Sequence, residues 1–269
     1  MNLDRRHWLR CGAAVAMLAG TGVGGAVRAS AQAAADAVAQ ARPPAGPRNA
    51  APPGITAFSA LPEGRAPGPD WAEQRVAGIA PNRASIVRLD GWGVLQIESS
   101  ASASAWTHPV VGGDRLREIA WRWRADGFPR SSRPGEREAD DFAARVYLLF
   151  DYPLERVPFA QRLGLRIARS VRGDDLPAAS ICYLLHEGEN GGEPLDSPYT
   201  SRVRMLVARP RARAGVWYSE RRDIRADFAR CFGDEYGAGM PPVSAVVVGA
   251  DSDQGGGGFS SYFGDIALR

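Results

Sequence analysis

The sequence predicts a mainly β protein: one antiparallel β-sandwich domain with one or two short helices packed at an edge. Three observations carry that expectation. Apolar side chains recur with a period of two through most of the chain beyond Gly54, Gly, Pro, Asn and Asp divide the runs, and the stretch from Gly54 to Arg269 is long enough to bury a single core.

The chain opens with "DRRHWLR", where Arg5 and Arg6 precede an aromatic residue, a leucine and a further arginine, and continues into the apolar run "CGAAVAMLAGTGVGGAV". This is the pattern of a twin-arginine export signal. "ASA" at Ala29–Ala31 supplies small residues for cleavage, so residues 1–31 are expected to be a removable signal. The run is shorter than the roughly 18 to 20 apolar residues that cross a bilayer, so no stable membrane span is expected after cleavage. The expected location is the periplasm or the exterior, and the expected first partner is the twin-arginine export machinery. Residues 32–53 are alanine and proline with almost no large apolar side chain and read as a disordered linker. Residues 54–269 form the domain.

Charge narrows the partners. Residues 1–31 hold Arg5, Arg6, Arg10 and Arg28 against Asp4, so of 33 basic and 30 acidic residues 29 of each remain beyond them, and the formal charge there is zero. That balance gives no basis for nucleic acid as a partner. The chain contains no lysine, which excludes a P-loop lysine, a Schiff-base lysine and a Ser-Lys pair.

The strands follow in order. "ASIVRL" and "GVLQIES" precede "REIAWRWRAD", in which Ile119, Trp121 and Trp123 share one face and Glu118, Ala120, Arg122 and Arg124 the other. "DDFAARVYLLF" places Phe142, Ala144, Val146, Leu148 and Phe150 on one apolar face. "ASICYLLH", "SRVRMLV", "GVWYSERRD", "PVSAVVVGA" and "SYFGDIAL" complete the set. Two stretches have helical spacing instead. Pro153–Val171 sets Leu163, Ile167 and Val171 among arginines, as expected of a helix packed on a sheet edge or lying on a membrane. "RRDIRADFARCFG" suggests a short helix capped by Asp223 and ended by Gly233.

Taken together, "WRW", "ADDFAARVYLLFDYPLERVPFAQRLGLRIARS", "SPYTSRVRMLV", "RRDIRADFARCFG", "VVVGADSDQGG" and "YFGDIAL" resemble, in this order, the bacterial domain-of-unknown-function 3047 family. The resemblance covers nearly all of residues 54–269 and implies one whole domain without implying an activity. The loop departs from a DTDNTG-like pattern, with Gln254 in place of asparagine and no threonine. The closing "YFGDIAL" is also similar to the last strand of jelly-roll sandwiches of the galactose-binding type. That similarity implies a jelly-roll layout, a sugar ligand and a structural calcium.

The chemistry-bearing residues are few. There is no G-x-S-x-G, H-E-x-x-H or C-x-x-C, and beyond residue 31 only His108 and His186 remain, too few for a multi-histidine metal centre. Cys182 and Cys231 could pair in an exported chain, yet each sits in an apolar run that suits a buried free thiol. Asp140 and Asp141 are adjacent; within a strand they would point to opposite faces, but in a turn before the strand one of them could meet Asp251, Asp253 or Asp265 at a cation. The candidate metal ligands are therefore Asp140, Asp251, Asp253 and Asp265, with calcium the candidate ion; the other reading gives Asp140 or Asp141 a buried pair with Arg145 or Arg122. The loop "DSDQGGGGFSSYFGDI" begins like a calcium hand, but its twelfth position is Tyr262 rather than glutamate, and its acids repel a phosphate. Trp121 and Trp123 form either core or a sugar-stacking strip.

Three functional classes remain open. The first is binding of a carbohydrate or other extracytoplasmic ligand, with Asp140, Asp141, Arg145, Tyr199 and Asp251 as contacts. The second is a polysaccharide lyase or hydrolase using an Arg-neutralised carboxylate with Tyr147 or Tyr199. The third is a structural or partner-binding module.

Overall fold

A computed structural model describes residues 54–159, 161–162, 178–189 and 191–269. The expected signal and linker over residues 1–53 lie outside the described residues, as does most of the helix expected over Pro153–Val171. Among the described residues are thirteen strands: β1 (Ala72–Arg75), β2 (Arg83–Leu89), β3 (Trp92–Ser100), β4 (Ala103–Pro109), β5 (Glu118–Ala125), β6 (Ala144–Phe150), β7 (Ser180–Leu185), β8 (Leu195–Ser197), β9 (Thr200–Arg209), β10 (Tyr218–Asp223), β11 (Val243–Asp251), β12 (Gly258–Phe263) and β13 (Ala267–Leu268). They form two sheets. Seven strands run in the order β1-β4-β11-β6-β7-β9-β8, and the other sheet runs β10-β5-β12-β3-β2 with β13 beside β5.

The main core lies between the sheets and is filled by alternate residues of their inner faces. Ile86, Leu95, Ile97, Ile119, Trp121, Trp123 and Phe263 meet Val146, Leu148, Phe150, Ile181, Tyr183, Val246 and Val248 there. Trp121 and Trp123 are thus core, edge-to-face at 5.2 Å, and Trp123 donates its indole N–H to Glu220 at 3.2 Å. A helix α1 (Ile224–Tyr236) adds Ile224, Phe228, Cys231 and Phe232 to the same core. Asp223 caps it, accepting from the Ala226 N–H at 2.9 Å, but the helix runs past Gly233 and ends at Gly237, whose φ of 74° is left-handed. Cys182 and Cys231 are both buried free thiols. No helix among the described residues is long and apolar enough to cross a membrane.

Three features differ from the expected pattern. β7 pairs β9 in parallel, so the seven-stranded sheet is mixed. "SYFGDIAL" is not one strand: β12 ends at Phe263, and Asp265 turns aside to accept from the Ser59 N–H at 2.9 Å before β13 begins. Asp140 and Asp141 precede β6 rather than belonging to it, with Asp140 closing a short 3-10 turn at Arg137–Ala139.

Candidate functional site

Two places on the molecule gather chemistry. The first follows from the pairing of β11 with β6, which sets Gly249 opposite Arg145 and carries Asp251, the last residue of β11, to the guanidinium. Arg145 Nε donates to Asp251 Oδ1 at 3.0 Å, and its Nη2 reaches Asp251 Oδ2 and the Asp140 carbonyl, with Asp140 Oδ2 at 3.4 Å. The Phe142 N–H donates to Asp251 Oδ1 at 2.9 Å, and the Phe142 ring lies 4.6 Å beneath the guanidinium. The loop after β11 then folds back over Asp141. Gln254 and Gly255 donate their backbone N–H groups to Asp141 Oδ2 at 3.0 and 2.5 Å. The approach at Gly255 is close: a Cβ there would stand 3.3 Å from Asp141 Oδ2 and 3.4 Å from the Ser131 backbone.

The structure therefore brings together Asp140, Asp141, Arg145, Asp251 and Asp253. Tyr199 joins through Gln254, whose Nε2 donates to the phenol at 3.2 Å, while the Tyr199 hydroxyl donates to the Arg137 carbonyl at 3.0 Å. Asp265 lies apart, on the exposed bond to Ser59. Tyr147 shares the face of β6 that carries Arg145 but is buried against Cys182 and Phe142, and burial holds its phenol well above the ordinary range.

Four carboxyl groups here face one guanidinium, and burial dominates their titration. Burial raises Asp140 from 3.8 to about 7 against the pull of Arg145. Burial and the charge of Asp251 raise Asp141 from 3.8 to about 6, and burial with Asp251 and Asp141 raises Asp253 from 3.8 to about 7. Asp251 is also raised by burial, with Arg145 and the Phe142 N–H opposing. One oxygen each of Asp141, Asp251 and Asp253 fall within 4.8 Å of one another. Both carboxylate oxygens of Asp253, Oε1 of Gln254 and Oδ1 of the 2% exposed Asp140 are buried without a partner among the described residues. Hard oxygen donors in this number suit calcium or magnesium in chemical type.

The second place is the outer face of the smaller sheet. It starts from a two-residue hairpin: Asp90 and Gly91, at φ 52° and 82°, make the left-handed pair that joins β2 to β3. The turn delivers Trp92, 58% exposed, to that outer face. Asp90 Oδ2 accepts the Trp217 indole N–H at 2.8 Å, which ties the residue just before β10 to the hairpin. Between the two indoles lies Arg122 of β5, its guanidinium 4.5 Å from the Trp92 ring and 4.9 Å from the Trp217 ring. Its stem crosses Gly264, where a Cβ would come within 2.5 Å of Arg122 Cγ, so a glycine is required for the side chain to lie there. Tyr262 is buried beside Trp217 at 6.4 Å, with Arg124 over its ring at 5.6 Å, and Gln96 and Ser260 add polar edges to the face. Sequence reading overlooked Trp92 and Trp217. The available signal was the Asp-Gly turn ahead of an aromatic residue in "LDGWG".

Comparisons place the chain as follows. Residues 69–267 match the family described as "Protein of unknown function (DUF3047)". No curated protein sequence matches the chain. Among solved structures, the chain is similar to the xyloglucanase domain of NopAA, a type three effector from Sinorhizobium fredii in complex with cellobiose, with 10% identity and a TM-score of 0.41 over 78% of this chain and 96% of that one. It is also similar to the K2 cleaved adhesin domain of Lys-gingipain, at 11% identity and a TM-score of 0.36 over 79% of this chain and 96% of that one. A carbohydrate-binding module specific for non-crystalline cellulose, CBM28, follows at 13% identity and a TM-score of 0.34, covering 77% of this chain and 96% of that one.

Proposed function

The chain belongs to the DUF3047 family, and we propose that it is a carbohydrate-binding domain whose ligand lies on the outer face of the smaller sheet. The observation that carries this reading is the Trp92–Arg122–Trp217 stack, open to solvent at Trp92 and bordered by polar side chains. A pyranose ring offers an apolar C–H face and a rim of hydroxyls, which is the complement of an exposed indole beside Arg, Gln and Ser. Covering ~80 Å² of the Trp92 ring is worth ~2 kcal/mol, or about thirty-fold in affinity. The acid cluster has a supporting part: a calcium ion held by Asp141, Asp251 and Asp253 that fixes the loop after β11. An enzymatic reading would rest on the raised carboxyls of Asp140 and Asp253. The 2% exposure of Asp140 and the burial of both Asp253 carboxylate oxygens favour binding over turnover, because a polymer does not reach them. The opening arginine pair supports export by the twin-arginine route to the periplasm or exterior, and Arg5→Lys with Arg6→Lys should retain the chain in the cytoplasm.

Affinity electrophoresis through gels containing soluble polysaccharides tests the binding reading. Retardation by at least one polysaccharide, lost in a folded Trp92→Ala/Trp217→Ala variant, is expected. Retardation by none, or retardation unchanged in the variant, would overturn it.

A further inference from the structure

Arg122 is the odd charge on the outer face. Of the arginines that the smaller sheet turns outward, Arg83 meets Glu98 at 3.6 Å, Arg124 meets Asp126 at 2.7 Å and Asp90 at 3.4 Å, and Arg221 meets Glu118 at 3.0 Å. Arg122 has neither a carboxylate nor a hydrogen-bond acceptor for its guanidinium among the described residues; it packs against the two indole rings and the Gly264 backbone. Stacking uses the flat faces of a guanidinium, whereas its hydrogen bonds leave from the edges. The rings therefore hold the cation in one orientation without satisfying its donors, and the neutral Gly264 beneath it fixes the stem. A flexible surface arginine loses side-chain freedom on meeting a ligand; packing between two rings leaves this one less to lose.

We propose that Arg122 is a carboxylate receptor and that the ligand is an acidic glycan, one whose uronic acid residues place a carboxylate against the guanidinium edge while the sugar ring covers Trp92. The carboxylate is favoured over a sulfate ester because two coplanar oxygens match the two parallel N–H groups of the fork. This inference rests on the glycan reading of the same face and narrows it to a charge class. Asp90 and Asp126 do not compete with the ligand for Arg122, since both are engaged by Arg124 and Asp90 also by Trp217.

The test compares, by titration calorimetry on the full chain, an oligogalacturonate, the same oligosaccharide with its carboxyl groups reduced to alcohols, and a sulfated neutral oligosaccharide of equal length. The wild-type protein should bind the uronate about ten-fold or more tightly than the reduced form, with an affinity that falls as salt rises, and should bind the sulfate ester less tightly than the uronate. Arg122→Gln should abolish the preference, so that the variant binds uronate and reduced form equally. Gly264→Ala, which keeps the arginine but displaces it, should lower uronate affinity in the same direction. Equal binding of uronate and reduced forms would overturn the acidic-glycan inference and leave the glycan reading standing. Preference for the sulfate ester would overturn the carboxylate assignment, and binding of none of the three would overturn the acidic-glycan inference, while the glycan reading itself falls only with the electrophoresis. The wild-type comparison needs no variant, so a misfolded substitution does not blur the outcome.

Discussion

Raising pH from 5 to 8 in the absence of divalent cations should destabilise the protein. Asp140 and Asp141 are 2% and 0% exposed and have their carboxyls raised from 3.8 to about 7 and about 6, respectively. A carboxyl raised in the folded state is bound to its proton there at pH values where the unfolded chain has released it. Its contribution is fully present below 3.8, the ordinary value, and is lost as pH climbs through the folded value near 7. For Asp140 alone, the window from pH 5 to the folded value near 7 spans roughly two units, or ~2.7 kcal/mol. Asp141 shares the same proton-holding repulsion from Asp251, so the two losses overlap rather than add in full. In a domain of this size ~2.7 kcal/mol is a fall in Tm of roughly 5 to 11 °C. Calcium should reverse the trend, because ligation needs the deprotonated carboxylates: the ion should add more stability at pH 8 than at pH 5. At a hundred times its dissociation constant the gain is ~2.7 kcal/mol. Differential scanning calorimetry at the two pH values, with chelator and with calcium, reads all four conditions. A melting temperature in chelator that is flat or rises toward pH 8 would refute the protonated cluster. A calcium shift that is absent at pH 8 would refute the cation.

Two further substitutions probe the frame that carries these sites. Arg145→Met leaves Asp251 and Asp140 buried without their cation and should cost about 3 to 5 kcal/mol in urea denaturation at pH 8, whereas a loss below 1 kcal/mol there would mean that the carboxyls hold their protons even above the folded value near 7. Asp223→Ala removes the side chain that accepts from the Ala226 N–H and should lower stability by about 1 kcal/mol, with no change in glycan affinity.

The sandwich was legible where one face of a strand is buried and the other is wet. In β5 the alternation of Ile119, Trp121 and Trp123 with Ala120, Arg122 and Arg124 assigns every side chain to its face, and the structure agrees. β4 was not legible, since Ala103–His108 are buried on both faces and small residues leave no period to read. The parallel pairing of β7 with β9 was hidden for another reason: each strand's pattern is the same whichever direction its neighbour runs. The acid cluster was partly legible. Asp251 and Asp253 advertise themselves in one loop, but that Asp141 rather than Asp265 closes on them depends on the register of β11 against β6. The aromatic face was the least legible part, because Trp92 and Trp217 meet only through the Asp90 hairpin and the β5–β10 pairing.

The most direct measurement follows the indole N–H resonances of the tryptophans by heteronuclear NMR during titration with an oligosaccharide that retards the protein. The Trp92 and Trp217 signals should shift and saturate together, while those of the buried Trp121 and Trp123 and the backbone amides of Gln254 and Gly255 stay in place. Shifts confined to Gln254, Gly255 and their neighbours, with Trp92 and Trp217 unmoved, would contradict a ligand on the outer face.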